Sequence, residues 1–547
     1  MMIMSIFTDR HFSMIRYLTG RYSCQHFYLT LIAVVCVLLV FVCIPAYLMP
    51  SEDAAILFSY AENWAKTGVI SYYPGGPPAE GSTDFLFLVL VTSGIRLGMG
   101  VYEASLLINA LATLLTVFFL LRIADSGRWL VNLLLMLSVF FSLQMIAGVY
   151  GYGTILFGAF LTVTVYCFLR NYFAALVFAA LLTVLCRPDG ILMVAPLVLF
   201  ALAGDKASRR KRFFQLLILG VIPGLLYYSW RLWYFGELFP LPFYVKAQGE
   251  KMLGSFQLLS VYTNIHYIRY FLFPLLIPVA GLICFYRRDL SAQFWMPLLS
   301  MILIPLAFYS MTQQDMNLGY RYQYPAYLGC LLLIAVSINR LKMDWLSVFL
   351  LGSLVLCFRE HYVRFTSLPD SRESNYVRVM KSLRPYSGTL AVTDAGYAAW
   401  LSRWSTVDLW GLNSPQFSRR LAQPEDIRQL LPDLVEIAPY AWDSVRVVRK
   451  EKTFPNLIQN TFLFLQISDY QVWRVPNQVK QSPEIIWHPA VDRIFRANND
   501  LRPGRYDDTI TFGIRPDARY IREISAVFEA HQGVRDEYNQ QESLFAQ

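Results

Sequence analysis

Long apolar runs separated by short polar segments dominate the first two thirds of the chain. Runs of about 20 residues are typical of helices that cross the ~30 Å hydrocarbon core of a membrane. The pattern therefore predicts a polytopic α-helical membrane protein. The runs lie at residues 27–49, 85–98, 105–124, 130–147, 153–169, 172–186, 190–203, 213–235, 267–286, 294–310, 322–338 and 345–358.

Basic clusters between the runs indicate which runs cross the membrane. If the N-terminal arginines are cytoplasmic and every run crosses, the cluster KASRRKR (206–212) falls outside, against the positive-inside rule. If run 85–98 is instead a re-entrant or interfacial helix, all the basic loops fall inside. This assignment predicts about eleven transmembrane helices in a domain over residues 1–359. It also predicts a first extracytoplasmic loop at 50–104.

The chain after the last apolar run is more polar. It contains the β-like runs GTLAVTD (388–394) and LFLQISDYQVWRV (463–475), and the helix-like piece PEDIRQLLPDLVEIA (424–438). These segments predict one mixed α/β domain over residues 360–547. The positive-inside assignment puts this domain on the extracytoplasmic face, together with the 50–104 loop.

Composition agrees with a membrane protein and excludes several other classes. The chain is 56% hydrophobic and 16% charged, and its net charge of +9 comes from clusters between apolar runs, which argues against a nucleic-acid partner. The eight cysteines lie in or beside apolar runs, as small core residues do. The sequence has no paired histidine or cysteine motif for zinc, no phosphate-binding P-loop and no G-x-S-x-G nucleophile motif.

Two adjacent carboxylates, Glu52 and Asp53, follow the first apolar run. The purely structural interpretation is a helix over residues 53–66 that is capped by Ser51. Acidic residues at its start interact favourably with the helix dipole. The functional interpretation is a carboxylate at a membrane boundary that takes a proton from a hydroxyl. The pair also offers ligands for a divalent cation, with Mg²⁺, Mn²⁺ and Ca²⁺ as the candidates.

Further polar residues collect on the same predicted face. Arg187 and Asp189 in RPDG form either a plain ion pair at a span end or a site that steadies a phosphate. Lys246 and Arg321 are the other candidate phosphate ligands, beside the alternative of interfacial anchors. The candidate substrate ligands are Glu80, Asp84, Asp189, Tyr244, Asp315 and Tyr320. The alternatives for these residues are solvation, helix capping or a belt of tyrosines at the membrane interface.

The ordered set of motifs resembles the GT-C class of lipid-linked glycosyltransferases. The motifs are the carboxylate pair, NWAKTGVISYYPGGPPAEGSTDFLF, RPDG, LPFYVKAQG, DMNLGYRYQYP and VTDAGYAAWLSRWSTVDLWGL, from Ser51 to about Phe417. Within that class the chain is similar to the branch of the terminal arabinofuranosyltransferase of actinobacterial cell walls and the pilin arabinosyltransferase. The branch usually has Asp-Asp at the carboxylate pair, where this chain has Glu-Asp.

The resemblance implies an inverting transfer from a polyprenyl-phosphate sugar, with arabinofuranose as the first candidate. The acceptor would be a hydroxyl of a cell-envelope glycan or glycoprotein, outside the bacterial inner membrane. The family's acidic pair falls on Glu52 and Asp53, with Asp53 favoured as the base, and its loop glutamate falls on Glu80. Its D-A-G motif falls on Asp394 to Gly396, which adds Asp394 to the substrate ligands.

Two other function classes are compatible with parts of the pattern. A transporter or flippase for a lipid-linked sugar predicts ionisable residues near the middle of spans, whereas here nearly all of them cluster at span ends. A membrane scaffold with an exported binding domain predicts that the acidic pair and Arg187 are dispensable.

Overall fold

The computed structural model describes residues 24–204, 208–247, 258–286, 292–312, 314, 317–366, 373–438, 454–477 and 509–535. Its first part is a bundle of apolar helices around one large hydrophobic core. Its second part is a mixed sheet with helices on both faces. The predicted combination of a helical membrane domain with a C-terminal mixed α/β domain is therefore confirmed.

The helices of the bundle follow the apolar runs closely, because an α-helix satisfies every backbone polar group within its own segment. Short π-helical or 3₁₀ segments extend several of them. The α-helical bounds are Cys24–Leu38, Glu52–Thr67, Phe85–Arg96, Val101–Ala124, Trp129–Phe140, Met145–Val149, Thr154–Leu169, Phe173–Cys186, Ile191–Gly204, Arg209–Leu216, Ile222–Phe235, Leu241–Ala247, Leu258–Tyr267, Phe273–Tyr286, Ala292–Ser310, Tyr324–Leu341 and Ser347–Thr366.

Four helices among the described residues are long and apolar enough to cross a membrane. They are Val101–Ala124, Arg209–Phe235, Ser260–Phe285 and Leu318–Leu341, and shorter apolar helices accompany them. The helix Phe85–Arg96 has 12 residues, so it is about 18 Å long and falls short of the ~30 Å core. The total of eleven spans stays a prediction.

The helix Leu318–Leu341 is the centre of the bundle, since 83% of its most apolar stretch is buried. The helix Arg209–Phe235 lies at the perimeter and exposes large apolar side chains, among them Ile218, Leu225 and Leu226. The end of a helix at the centre of the bundle is packed on every side. The 3₁₀ turn Leu318–Gln323 is such an end, and it carries Arg321.

The described residues of the α/β domain form a six-stranded sheet. Its strands are β1 Thr389–Val392, β2 Ser405–Asp408, β3 Leu434–Ile437, β4 Gln471–Pro476, β5 Thr509–Ile514 and β6 Val534–Arg535. The order is β2-β1-β3-β5-β4-β6, with parallel pairing of β1 to β2 and β3 and antiparallel pairing in the rest. Its helices are Asn375–Leu383, Gly396–Ser402, Pro415–Ser418, Pro424–Leu430, Phe454–Gln466 and Ile521–Ala530.

Alternation along the strands builds a separate core on each face of this sheet. On β1, Leu390 and Val392 belong to one core, and Ala391 belongs to the other. The first core is covered by the helices Asn375–Leu383 and Ile521–Ala530, and the second by Phe454–Gln466. The result is a three-layer domain whose β1 ends at the turn Thr393–Ala395.

This turn leads into the joint helix, Gly396–Ser402, which packs along the acidic helix, Glu52–Thr67. At one end the Gly396 N–H donates to the Glu52 carboxylate. At the other end Glu62 accepts hydrogen bonds from Trp400, at 3.2 Å, and from Arg403, at 2.5 Å. The α/β domain is thus fastened at both ends of the helix that bears the carboxylate pair.

Replacing Gly396 by alanine is expected to open this joint. An added Cβ would overlap the backbone oxygen and the carboxylate of Glu52. Such an overlap costs about 1–3 kcal/mol if the two helices shift to relieve it. Thermal unfolding in detergent and proteolytic release of the α/β domain measure the change. Gly127→Ala is the matched control because no atom lies within 4 Å of its added Cβ. Equal stability of the two variants would contradict the prediction.

Candidate active site

The acidic helix begins at Glu52, one residue before its predicted start, and ends at Thr67. Ser51 does not cap it through its side chain, so that part of the prediction was wrong. The Ser51 N–H donates instead to the carbonyl of Tyr150 at 3.0 Å, and its hydroxyl lies 2.8 Å from the hydroxyl of Tyr152. The turn YGYG (150–153) therefore fixes where the acidic helix starts.

Asp53 forms an ion pair with Arg321 across the end of the bundle. The Arg321 Nη2 donates to the Asp53 Oδ2 at 2.9 Å, and its guanidinium lies 3.9 Å from the ring centroid of Tyr152. Arg321 is only 8% exposed, and its Nε has no hydrogen-bond partner. A buried guanidinium with a spare donor is suited to an anionic ligand.

The turn that carries Arg321 has an unusual backbone. Gly319 and Tyr320 both adopt left-handed conformations, with φ of 61° and 53°. Gly319 also lies against the carbonyl of Leu143, which leaves no room for a side chain. As a result the Tyr320 hydroxyl bonds His266 at 2.8 Å, while the Arg321 side chain reaches Asp53.

A cluster of hydrogen-bonded carboxamide side chains fixes the same turn. Gln323 donates to Asn264 at 2.6 Å and to Gln314 at 2.8 Å. Asn317 donates to Gln314 at 2.8 Å and accepts the backbone N–H of Tyr322 at 3.1 Å. Asn264 and Gln323 are buried. Fully paired buried amides are rigid, so the cluster fixes the direction of Arg321.

Arg187 and Asp189 form a bidentate pair at the start of the Pro188–Gly190 turn. Two guanidinium nitrogens of Arg187 donate to the two Asp189 oxygens at 3.1 Å each, and Arg187 also donates to the Tyr309 hydroxyl at 3.0 Å. The ring of Tyr322 lies between the two arginines, 5.4 Å from Arg187 and 5.3 Å from Arg321. The two candidate phosphate ligands thus face one aromatic ring.

Asp84 stands next to both arginines, at the start of the helix Phe85–Arg96. Burial raises the pKa of Asp84, against the lowering effect of the Arg187 and Arg321 charges. Its carboxylate lies beside Gly153, where a Cβ would come within 3.1 Å of Oδ2. Asp53, Asp84, Arg187, Asp189 and Arg321 therefore form one polar cluster at one end of the bundle.

Glu52 points away from this cluster and toward the α/β domain. Its carboxyl accepts the Gly396 N–H and shares a hydrogen bond with the side chain of Asp394. Burial at the joint raises the pKa of Glu52 well above its usual range, and the charges of Asp394 and Asp53 raise it further. The two members of the acidic pair thus have different surroundings, and only Asp53 faces the arginines.

Two other predicted site residues, Glu80 and Tyr244, pair with arginines outside the cluster. Glu80 is 8% exposed and pairs with Arg231 at 2.5 Å, and Tyr244 packs under the guanidinium of Arg419 at 3.9 Å. The helix Leu241–Ala247 includes Lys246, whose side chain lies outside the described part, as does all of Asp315. Ligand roles for all of these residues stay predictions.

In this arrangement Glu52 contacts the joint and Asp53 contacts Arg321. Within the described ranges, no group of three or more His, Cys, Asp or Glu side chains is arranged to hold a metal ion. A divalent cation at the acidic pair stays a prediction.

Several residues of the site were not predicted from the sequence. Tyr152, Tyr309 and Tyr322 each contact an arginine of the cluster. Glu436, 1% exposed on β3, lay inside the segment predicted as helical. For Tyr152 and Tyr322 the nearby motifs YGYG and YRYQY were the available signal.

Sequence comparison relates only a part of the chain to a family. Residues 367–491, which include β1 to β4, match a domain of unknown function (DUF8728). No curated protein matches the chain in sequence.

Structure comparison relates most of the chain to a known fold. The crystal structure of ArnT from Cupriavidus metallidurans in the apo state has a TM-score of 0.50 at 14% identity, with 76% of this chain and 94% of that chain covered. The structure of ArnT from the same organism bound to undecaprenyl phosphate gives 0.48 at 14% identity, with 75% and 93% covered. The chain therefore has an ArnT-like fold.

Proposed function

We propose that the protein is an inverting membrane glycosyltransferase of the GT-C class that uses a polyprenyl-phosphate sugar as donor. The ion pair of Asp53 and Arg321 is the observation that carries this proposal. It brings a candidate base within 2.9 Å of a candidate phosphate ligand, at the end of a bundle with a GT-C fold. A transfer that deprotonates an acceptor and expels a phosphate needs both groups at one place.

The transfer would proceed by one displacement. Asp53 takes the proton of an acceptor hydroxyl, whose oxygen forms a bond to the anomeric carbon. The bond from that carbon to the phosphate oxygen breaks on the opposite face, and Arg321 stabilises the charge that develops on the leaving phosphate. Arg187 is held by Asp189 and Tyr309, so it offers a second positive charge in a fixed position.

The surroundings of the cluster favour a lipid-linked phosphate over a soluble nucleotide sugar. The polar groups lie at the end of apolar helices, so a prenyl chain extends along the bundle while its phosphate reaches the arginines. The rings of Tyr152, Tyr309 and Tyr322 pack against the two arginines or against each other, so they hold the arginines in place beside the apolar helices. The sequence resemblance makes arabinofuranose the first sugar to test.

We infer from the basic loops that this end of the bundle is extracytoplasmic, in a bacterial inner membrane. A cell-envelope glycan or glycoprotein would then be the acceptor. Labelling of single cysteines at Ser126 and at Asp433 by an impermeant reagent tests this sidedness. Asp433 lies in the α/β domain. Ser126 lies in the loop after the helix Val101–Ala124, where it contacts Asp344. Only the Asp433 cysteine is expected to react from outside.

Transfer by the full-length protein in proteoliposomes tests the function. The donors are polyprenyl-phosphate arabinofuranose and, in parallel, polyprenyl-phosphate hexoses, with an envelope glycan fraction as acceptor. The expected result is glycan-linked sugar and release of the polyprenyl phosphate, with inverted configuration at the anomeric carbon. Movement of the lipid between leaflets without any new glycan would favour a flippase instead.

A further inference from the structure

Three carboxyl groups lie in a row across the joint between the two domains. Glu52 starts the acidic helix, Asp394 lies in the turn after β1, and Glu436 lies on β3. The side chains of Glu52 and Asp394 share a hydrogen bond. The Glu436 Oε2 accepts the backbone N–H groups of Thr393 at 3.2 Å and of Asp394 at 3.4 Å. The row therefore runs from the sheet of one domain to a helix of the other.

Further contacts tie the same turn to the membrane domain. The Tyr72 hydroxyl donates to the carbonyl of Ala395, and the Tyr397 hydroxyl donates to the carbonyl of Pro50. Gly396 packs so closely on Glu52 that a Cβ would overlap it. Each of these contacts pairs a residue of the α/β domain with one in or beside the first loop. Glu436 holds the backbone of this turn from the sheet side.

We propose that the α/β domain completes the active site: Asp394 and Glu436 are positioning residues that fasten the Glu52 carboxyl to the turn and so aim the adjoining Asp53 at the transfer site. This inference rests on the proposed glycosyltransferase function. Neither residue needs to touch the donor or the acceptor. Glu436 accepts backbone N–H groups of the turn, and the residue after the turn, Gly396, donates to Glu52. Glu52 in turn fixes the start of the acidic helix.

The helical geometry explains how a hold on Glu52 controls Asp53. Consecutive residues of an α-helix point about 100° apart, so fixing the direction of Glu52 fixes the rotation of the first turn. With Glu52 bound to the Gly396 N–H, Asp53 faces Arg321 at 2.9 Å. A misplacement of about 1 Å at a reacting group can cost about a hundredfold in rate.

The shared hydrogen bond makes this hold depend on pH. Two carboxyl groups at hydrogen-bond distance keep one proton between them, because both cannot be charged at low cost. The pKa of Glu52 is raised well above its ordinary 4.5, so the bond shared with Asp394 is complete below that pH and is lost as the pH rises through the raised pKa. The Gly396 N–H still donates to the charged carboxylate, so the hold is weakened and not abolished. The other titratable groups facing Glu52 and Glu436 are Asp53 and the phenols of Tyr72, Tyr152 and Tyr376.

The test compares kcat, donor KM and the pH profile in full-length variants. Glu436→Ala removes the carboxylate that accepts the Asp394 N–H, while the Thr393 N–H keeps the Glu436 main-chain carbonyl as acceptor at 3.2 Å. The variant is expected to lower kcat by about ten- to hundredfold at unchanged donor KM. Glu436→Gln keeps an acceptor oxygen and is expected to recover most of that loss. Asp394→Asn donates to Glu52 without a shared proton, so the fall of kcat as the pH rises through the raised pKa of Glu52 is expected to disappear.

Asp433→Ala is the matched control in the same sheet. Asp433 also accepts a backbone N–H, that of Thr389 at 2.8 Å, but at the opposite end of β1, and it pairs with Arg515 at 2.7 Å. Its replacement is expected to lower thermal stability and to leave kcat and the pH profile as in the wild type.

Two results would overturn the inference. The first is an active wild-type enzyme whose Asp394→Asn variant keeps the fall of kcat with rising pH, or whose Glu436→Ala variant loses no more kcat than Asp433→Ala. The second is a wild-type protein that transfers no sugar from any polyprenyl donor, which removes the proposed function as well. If Glu436→Ala does not fold, the pH profiles of Asp394→Asn and Glu52→Gln decide, since both are expected to lack this fall.

Discussion

Replacing Asp53 by asparagine is expected to lower sugar transfer by about 10²- to 10⁴-fold, the range that general-base catalysis contributes. The amide keeps the shape of the side chain and accepts the Arg321 hydrogen bond, but it cannot take a proton from the acceptor. Because Arg321 remains in place, the donor KM is expected to change little. The measurement is initial rate against donor concentration in proteoliposomes.

The control for Asp53→Asn is a carboxylate at the other end of the bundle, in an ion pair whose arginine is exposed. Asp344 pairs with Arg128 at 2.8 Å, and Asp344→Asn is expected to leave transfer unchanged. Both variants should reach wild-type levels in the membrane and elute as the wild type does. An Asp53→Asn enzyme within tenfold of the wild-type rate would show that Asp53 is not the base.

Replacing Arg321 by glutamine is expected to lower kcat by about 10²- to 10³-fold and to raise the donor KM. Its guanidinium is the group that meets the developing phosphate charge, and loss of one such donor is worth about that much in rate. The variant also leaves Asp53 without its partner at 2.9 Å. Activity and binding of the donor lipid are therefore expected to fall together.

Arg321→Lys separates charge from geometry. Lysine keeps the positive charge but loses the planar group that lies 3.9 Å from the Tyr152 ring centroid. An intermediate rate is expected, with a donor KM closer to wild type than that of Arg321→Gln. Arg128→Gln, on the partner of Asp344, serves as the control for loss of an ion-paired arginine. Wild-type kinetics of Arg321→Gln would exclude a role for Arg321 at the phosphate.

The parts of the fold governed by local chemistry were predictable from sequence. Apolar runs gave the helices of the bundle, because a helix in a membrane must satisfy its own backbone. The strand β1 within GTLAVTD was also recognisable. In contrast, the helix predicted over 424–438 ends at Leu430, and β3 begins at Leu434. Pro432 interrupts the helix, and pairing of β3 with β1 and β5 supplies what local propensity does not.

Tertiary packing also explains why the segment 463–475, predicted as a strand, is only partly one. Its first residues belong to the helix Phe454–Gln466, which covers one face of the sheet, and only Gln471–Pro476 forms β4. A short apolar run fits either a buried helix or a strand, and tertiary packing decides between them. The length of the run alone did not contain that information.

At the site, the sequence indicated which residues carry charge but not how they pair. Asp53, Arg187 and Arg321 were predicted from motif and position, and the structure brings them into one cluster. The separation of Glu52 from Asp53 depends on contacts between residues more than 300 positions apart. The pairing of Glu80 with Arg231 likewise depends on a distant helix. Such long-range pairs have no local signature.

The attachment of the joint helix at both Glu52 and Glu62 also bears on how this protein can be recombined with its relatives. A chimera cut between the bundle and the α/β domain would divide these contacts between two parents. The unit to exchange is the α/β domain together with residues 50–67, although residues 68–359 separate them in the chain. We therefore expect a functional hybrid to take residues 50–67 and the α/β domain from the same parent.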